Sequence, residues 1–259
     1  KISLNSAYGA IGNKYFRYYD HRQAEAITTS GQLNIRWIEK KVNEYFNKLY
    51  NTNEDYVIAS DTDSIYVNMA PLVKLTGATD KDKIVKALDI FCREKLEPYM
   101  KQSYAELGNY MNVYENKMVM KREVIADKGI WTAKKRYILN VHNSEGVQYP
   151  EPKLKIMGIE AVKTSTPLPC RDKMREAFKV IMGGDQKEMK EFIVNFRREF
   201  ELMKPEDIAF PRSVNGVKKY TDSTSIYKKG TPMHVKGAIM YNHLIKTKKI
   251  GHKFQPIYE

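Results

Sequence analysis

The sequence predicts an α+β protein, and three observations carry that expectation. A long stretch near the N-terminus has helical periodicity, two short apolar runs flank an acidic turn, and the last third returns to helical periodicity. Two strand-like stretches fall between them. Nothing repeats, and no low-complexity linker interrupts the 259 residues.

In chain order, Lys1 to about Asn13 reads as helical. Lys1, Asn5 and Tyr8 fall at i, i+4 and i+7 and so share a face. A cation, an amide and a phenol on one stripe suit a triphosphate and a base, and they equally suit an ordinary surface helix. From Arg22 to Leu49, Leu33, Trp37, Ile38, Val42 and Tyr45 recur at helical spacing and form a core stripe. Val57 to Ser60 and Ile65 to Met69 are strand-type runs around "DTDS", a hairpin signal. A second helix is expected over Asp80 to Leu107, interrupted near Pro98, which has no N–H for the helical ladder. "KMVMKREVIA" and "IWTAKKRYILNV" read as strands, the second with four polar or charged residues between apolar ends. Asp172 to Met182 and Gln186 to Met203 read as helices broken by Gly183 and Gly184. The change of texture near Gly158 places a domain boundary there.

Composition bounds the function. With 42% apolar and 29% charged residues the chain is globular. Its net charge of +13 points to a polyanionic partner. Between Arg212 and Lys253, ten basic residues stand against one acid, Asp222, interleaved with Tyr220, Tyr227, Tyr241, His234 and five glycines and prolines. That pattern reads as a looped, aromatic-studded basic surface and not a charged helix face, suited to phosphate contacts with stacking nearby. Cys92 and Cys170 lack CxxC spacing, which argues against a disulfide framework or a zinc site and for a reducing compartment. No apolar run reaches the roughly 18 residues of a membrane span, and no signal peptide is evident. The chain starts at Lys1 inside a helical pattern, so it is expected to be a piece of something longer.

Asp61 and Asp63 stand two apart at the expected hairpin tip, where carboxylates lose little hydration. Two carboxylates together repel unless a cation lies between them, and Mg²⁺ prefers such oxygen ligands plus substrate phosphates. The alternative is a turn in which both aspartates cap backbone amides. Both readings stand at the level of the motif alone.

K-x-x-x-N-S-x-Y-G at the N-terminus, followed about fifty residues later by D-T-D-S, resembles the fingers and palm motifs of family B DNA polymerases. "YFRYYDHRQAEAITTSGQ", "WTAKKRYILNV", "EPKLKIMGIEAVKTSTP" and "HVKGAIMYN" resemble the T-even-type phage branch of that family, so the resemblance spans nearly the whole chain. It implies the end of a fingers helix over 1–12, a palm with an antiparallel sheet and packed helices over 13–158, and a mainly helical thumb over 159–259, incomplete at its C-terminal tail.

The resemblance further implies site roles. Lys1 matches the lysine that neutralises the triphosphate, Asn5 the amide beside it, and Tyr8 with Gly9 the floor under the nascent base pair. Asp63 matches the direct metal ligand, Asp61 its supporting neighbour, and Glu123 an additional carboxylate near the metals. Lys134, Lys135, Arg136 and Tyr137 match a segment that grips primer-template, and Lys155, Lys236 and Tyr241 fall in matching segments assigned to DNA. The implied cofactor is Mg²⁺, two ions in the complete enzyme, and the implied chemistry is two-metal nucleotidyl transfer.

The implied partners are primer-template DNA, dNTP, an N-terminal polymerase portion carrying an exonuclease and the other palm aspartate, and a sliding clamp in the full protein, with no membrane. The implied location is the cytoplasm of the infected bacterial host. Two positions depart from the family pattern: Ala59-Ser60 replace Tyr-Gly before DTDS, and Lys121 replaces an acid. The expected function is the C-terminal portion of a DNA-directed DNA polymerase, inactive alone. The alternatives are a non-catalytic duplex-DNA-binding module derived from a polymerase and, more distantly, a metal-dependent nuclease.

Overall fold

A computed structural model describes residues 2–221, 226–244 and 253–254, the last two as backbone only. It is an α+β protein with antiparallel sheets, as the sequence predicts. The chain divides into two compact units, one comprising 1–126 with 141–152 and the other 127–140 with 153–259.

The first unit begins with α1 (Ile2–Ile11) and α2 (His21–Tyr50). The Asp20 carboxylate accepts from Arg22 N and caps α2, whose other end stops at Asn51 with φ 54°. The deep stripe of α2 is Ile38, Val42 and Phe46, all with no exposed surface. The expected stripe is displaced by part of a turn: Leu33 is exposed, and Phe46 takes the central place. Tyr56, Val57, Cys92, Leu96, Met100 and Tyr104 complete that core. Phe46 meets Tyr50 at 5.7 Å and Tyr56 at 5.6 Å between ring centroids.

One helical turn apart on α2, Asn43 and Asn47 fasten the loop that leads into the first strand. Asn43 Oδ1 accepts from Tyr56 N (2.8 Å) and Val57 N (3.1 Å), and Asn47 Oδ1 accepts from Glu54 N (2.8 Å). The hairpin of β1 (Val57–Asp61) and β2 (Ser64–Val67) follows, with Asp61 opposite Ser64 and an irregularity between Val57 and Ala59. After α3 (Ala70–Thr76) come α4 (Lys81–Phe91), a π-helical turn Cys92–Leu96 and α5 (Glu97–Tyr110). The interruption expected near Pro98 is this π turn, in which Glu97 N reaches back to Cys92 O. The wider turn lies immediately before the proline, whose missing N–H would otherwise break the ladder.

Three antiparallel strands form a meander in the order β3 (Val124–Ala133), β4 (Arg136–Ser144), β5 (Val147–Met157). The expected strands need correction here. Residues 117–123 precede β3 and are not strand, and the run 130–141 is two strands and not one, because Lys134 and Lys135 form a turn in which Lys135 has φ 61°. The strand β5 falls on a segment for which the sequence predicts no strand. Glu145 and Gly146, with φ 50° and 89°, link β4 to β5 in the manner of a primed turn.

In the first unit Arg122 is the anchor of the chain entering β3. Its guanidinium pairs with the Asp89 carboxylate and donates to Asn143 Oδ1 (2.7 Å), while its backbone N donates to Glu97 Oε1 (2.9 Å). At 12% side-chain exposure this is a largely buried charge with its partners in place.

In the second unit Ile138, Ile159 and Met182 form a core with Leu154, Ile156, Met174 and Phe178 against them. The helices α6 (Leu168–Gly183), α7 (Gln186–Glu201) and α8 (Pro205–Ile208) follow, and Asp185 caps α7 after the glycine break. Then come β6 (Arg212–Ser213), α9 (Met233–Leu244) and β7 (Lys253–Phe254), which pairs with β6. The basic tail is therefore looped only in part, because 233–244 is helical, against the expectation of a wholly looped surface. Val235, Ala238 and Ile239 of α9 are buried with Val214, and that burial favours helix over loop. Among the described residues no helix is long and apolar enough to cross a membrane.

Candidate active site and nucleic-acid interface

The acidic hairpin is built from the backbone outward. Thr62 has φ 56°, and Asp63 N donates to Asp61 O at 2.7 Å, which closes a three-residue turn centred on Thr62. Ser64 Oγ donates to the same carbonyl at 3.1 Å. Asp61 thus spends its main-chain oxygen on shaping the turn. Among the described residues its Oδ1 accepts only a hydroxyl, from Thr62 Oγ1 at 3.0 Å.

Asp63 is exposed in the turn itself, and among the described residues no hydrogen bond or ion pair engages its carboxylate. Among the described residues neither aspartate caps a backbone amide through its side chain, so the capping alternative does not describe this tip. Hard, solvated oxygens on a basic chain are a fitting donor set for Mg²⁺.

Glu123 stands exposed just before β3, its carbonyl accepting from Glu145 N at 2.7 Å. Among the described residues no three His, Cys, Asp or Glu side chains gather as a metal-binding group, so Glu123 does not join Asp61 and Asp63 in one cluster. Asn5, Tyr8 and Gly9 are exposed on α1, with Asn5 and Tyr8 three residues apart and hence on one face. Lys1 lies outside the described residues.

The residues expected to grip DNA all belong to the second unit and fall into two kinds. Lys134 and Lys135 occupy the exposed turn between β3 and β4. Arg136 pairs with Glu160, which also accepts from Lys163 Nζ at 3.0 Å. Tyr137 is buried at 7% exposure, so its ring serves the core. Lys155 is half-buried on β5. On α9, Lys236 Nζ lies 5.0 Å from the centre of the Tyr227 ring, and Tyr241 is exposed.

Tyr220 and Tyr227 lie partly buried against Val214 and α9, so they brace the basic segment from within. Lys218, Lys219, Lys228 and Lys229 are exposed around them. Asp222, Lys246, Lys248 and Lys249 lie outside the described residues.

Two further residues beside the Lys134–Lys135 turn have no site role predicted from the sequence. Gly158 has φ 67°, and a β-carbon there would lie 2.1 Å from Lys135 O. Glu160 has its carboxyl held below the ordinary range, chiefly by the hydrogen bond from Lys163 and further by the Arg136 charge. The available signal was a glycine followed two residues later by an acid, in a segment otherwise apolar or basic.

No protein-family model matches the chain. Comparison with curated proteins finds 38% identity over 257 residues to the DNA-directed DNA polymerase of Enterobacteria phage T4 and 42% over 258 residues to that of Escherichia phage RB69. Each match covers 95% of this chain and 28% of the relative, so the chain spans just over a quarter of their length. A more distant similarity, 28% over 173 residues, is to the protein named DNA polymerase beta of African swine fever virus, covering 63% of this chain and 14% of that protein.

Proposed function

The chain is related over nearly its whole length to a segment of the T-even-type phage DNA polymerases, and from that premise we propose that it works as part of a DNA-directed DNA polymerase carrying out template-directed nucleotidyl transfer. In this reading 1–12 ends a fingers helix, 13–158 is palm and 159–259 is thumb, in a family B enzyme. Its substrates are primer-template DNA and dNTP, and its companions are the remaining portions of the polymerase and a sliding clamp.

The observation that carries the reading is the hairpin tip, where Asp63 keeps an exposed carboxylate unengaged among the described residues while the Asp61 carbonyl holds the turn in shape. Asp63, supported by Asp61, would hold Mg²⁺. When bound, Mg²⁺ supplies neutralisation of phosphate charge and a lowered pKa for a coordinated hydroxyl. The protein's own share is different. Asn5 and Tyr8, on one face of α1, position the triphosphate and the base, and Lys1, four positions before Asn5 in the sequence, supplies the cation. Lys134 and Lys135 meet the duplex backbone, which fixes register and carries little sequence information.

The test has two arms. Residues 1–259 are placed in a T4-type polymerase in exchange for the matching segment, and primer extension is measured; extension is expected, and its loss in Asp63→Asn. The chain by itself is titrated with primer-template duplex across a salt series. Log affinity should fall with log salt by roughly 0.9 per neutralised phosphate. A chimera that extends no primer together with salt-insensitive binding would sink the reading, whereas salt-dependent binding without extension would favour the non-catalytic duplex-binding module.

A further inference from the structure

We propose that Arg136 and Glu160 are positioning residues that hold the Lys134–Lys135 turn in place, and that Arg136 is spent on Glu160 and not on a phosphate. The inference rests on the reading of this segment as a duplex grip and assigns the division of labour within it.

Four observations converge. Arg136 Nη2 is paired with Glu160 Oε2, and Glu160 Oε1 accepts from Lys163 Nζ at 3.0 Å, so both carboxylate oxygens are used and three charges form one chain. The stem of Arg136 runs against Gly158, where a β-carbon would come within 3.2 Å of Arg136 Cγ, and Arg136 Nε is a buried nitrogen without a hydrogen-bond partner among the described residues. The main chain of Arg136 is used as well, its carbonyl accepting from Thr132 Oγ1 at 3.2 Å across the base of the turn. Finally, Lys135 has φ 61° with its carbonyl against Gly158, so the turn is held in a backbone conformation that an unsupported lysine seldom adopts.

These contacts fix Arg136 at the stem, in the backbone and at the guanidinium. To reach a phosphate, the guanidinium would have to leave Glu160 and uncover a carboxylate facing a polyanion, which repels it. Among the described residues Lys134 and Lys135 carry no such engagement, and they stand exposed at the apex. The arrangement therefore separates two tasks, a static pair that sets where the apex sits and two flexible cations that meet the backbone.

Electrostatics alone and positioning predict opposite signs for one substitution. Glu160→Gln removes a negative charge from a DNA-facing surface, which by charge alone raises affinity for duplex. Under the proposal it releases Arg136 and loosens the turn, so affinity for primer-template falls by about three- to tenfold at constant salt, as loss of a networked surface pair allows. The second variant is the exchange Arg136→Glu with Glu160→Arg, in the full 259-residue chain. It should restore affinity to within about threefold of the parent, whereas Arg136→Glu alone should not, because a pair that positions works in either polarity and a phosphate contact does not.

Thermal unfolding of each variant accompanies the titration. Lowered affinity in Glu160→Gln with rescue by the exchange supports the proposal. Raised affinity in Glu160→Gln overturns it, as does an exchange no better than Arg136→Glu. If the parent chain shows no salt-dependent binding to primer-template, both the duplex-grip reading and this proposal fall, whereas the two preceding outcomes overturn this proposal alone.

Discussion

Gly158 lies so close to the Lys134–Lys135 turn that a β-carbon on it would come within 2.1 Å of the Lys135 carbonyl oxygen. Its φ of 67° imposes the same residue for a second reason. Gly158→Ala should cost about 1–2 kcal/mol through the left-handed backbone alone, with a further loss as the turn shifts. A lower unfolding midpoint and weaker duplex binding are expected. A variant matching the parent in both would contradict the close approach.

Asp63→Asn should weaken divalent-cation binding at the hairpin without unfolding it, because the carboxylate contributes no hydrogen bond to the turn among the described residues while the backbone bond of Asp63 N to Asp61 O is retained. Paramagnetic broadening by Mn²⁺ of the Thr62 and Asp63 amide signals gives the measurement. Broadening should be confined to the tip in the parent and much reduced in the variant. Equal broadening in both would remove Asp63 from the metal role.

The Glu160 carboxyl is held down by Lys163 and Arg136, and the sign of its effect on stability follows from that. Its ordinary value is 4.5 and its folded value is lower, so the stabilisation is fully present above 4.5 and is lost as pH falls through the lowered value. Side-chain carboxyl shifts followed by NMR should show Glu160 titrating below the other glutamates. Glu160→Gln should flatten the acid limb of the stability curve in that window, and a Glu160 midpoint at or above 4.5 would refute the pairing.

Thiol reactivity should rank the two cysteines. Cys92 is buried in the π turn, and burial pushes its thiol up to about 11, so at pH 8 on the order of one molecule in a thousand carries the thiolate there. Cys170 is only half-buried, although burial raises it too. Alkylation under native conditions followed by peptide mapping should find label on Cys170 first. Preferential labelling of Cys92 would mean that α4 and α5 open readily.

Phe46→Ala should be among the most damaging core substitutions, since the ring has no exposed surface and sits among Tyr45, Tyr50, Tyr56 and Phe91. Truncations of buried phenylalanine cost about 3–5 kcal/mol. Chemical denaturation should show that loss in the first unit, and a loss under about 1 kcal/mol would mean the aromatic cluster rearranges to fill the space.

What the sequence made legible follows the length over which each signal persists. The 30 residues of α2 repeat one apolar stripe several times, and its ends fell within a residue of expectation. The acidic hairpin was equally plain, because strand-type residues flank polar ones on both sides. The turn at Lys134–Lys135 was hidden, since lysine is no turn former and the Gly158 that its carbonyl meets lies far along the chain.

Tail residues 233–244 misled for a related reason. Composition recorded the charge, while the helix depends on burying Val235, Ala238 and Ile239, a tertiary effect. At the candidate site, residue types were readable and their engagements were not. Nothing in the order of residues says that Arg136 is tied to Glu160, that Tyr137 is buried, or that Glu123 stands apart from the aspartate pair.

The π turn at Cys92–Leu96 amounts to one residue more than a regular helix would use over the same rise. Every residue after it is phased by that surplus. Deleting a single residue between 92 and 96 would let α4 and α5 fuse into one uninterrupted α-helix, locally the more regular structure, but it would turn all of α5 by about 100° about its axis. Met100, Tyr104 and Leu107 would swing off the core they now fill, and Glu97 would carry its carboxylate away from Arg122 N. The irregular turn thus acts as a reading-frame marker in three dimensions: the downstream half keeps its meaning only while the extra residue stays, so insertions and deletions in this stretch should be tolerated only in compensating pairs.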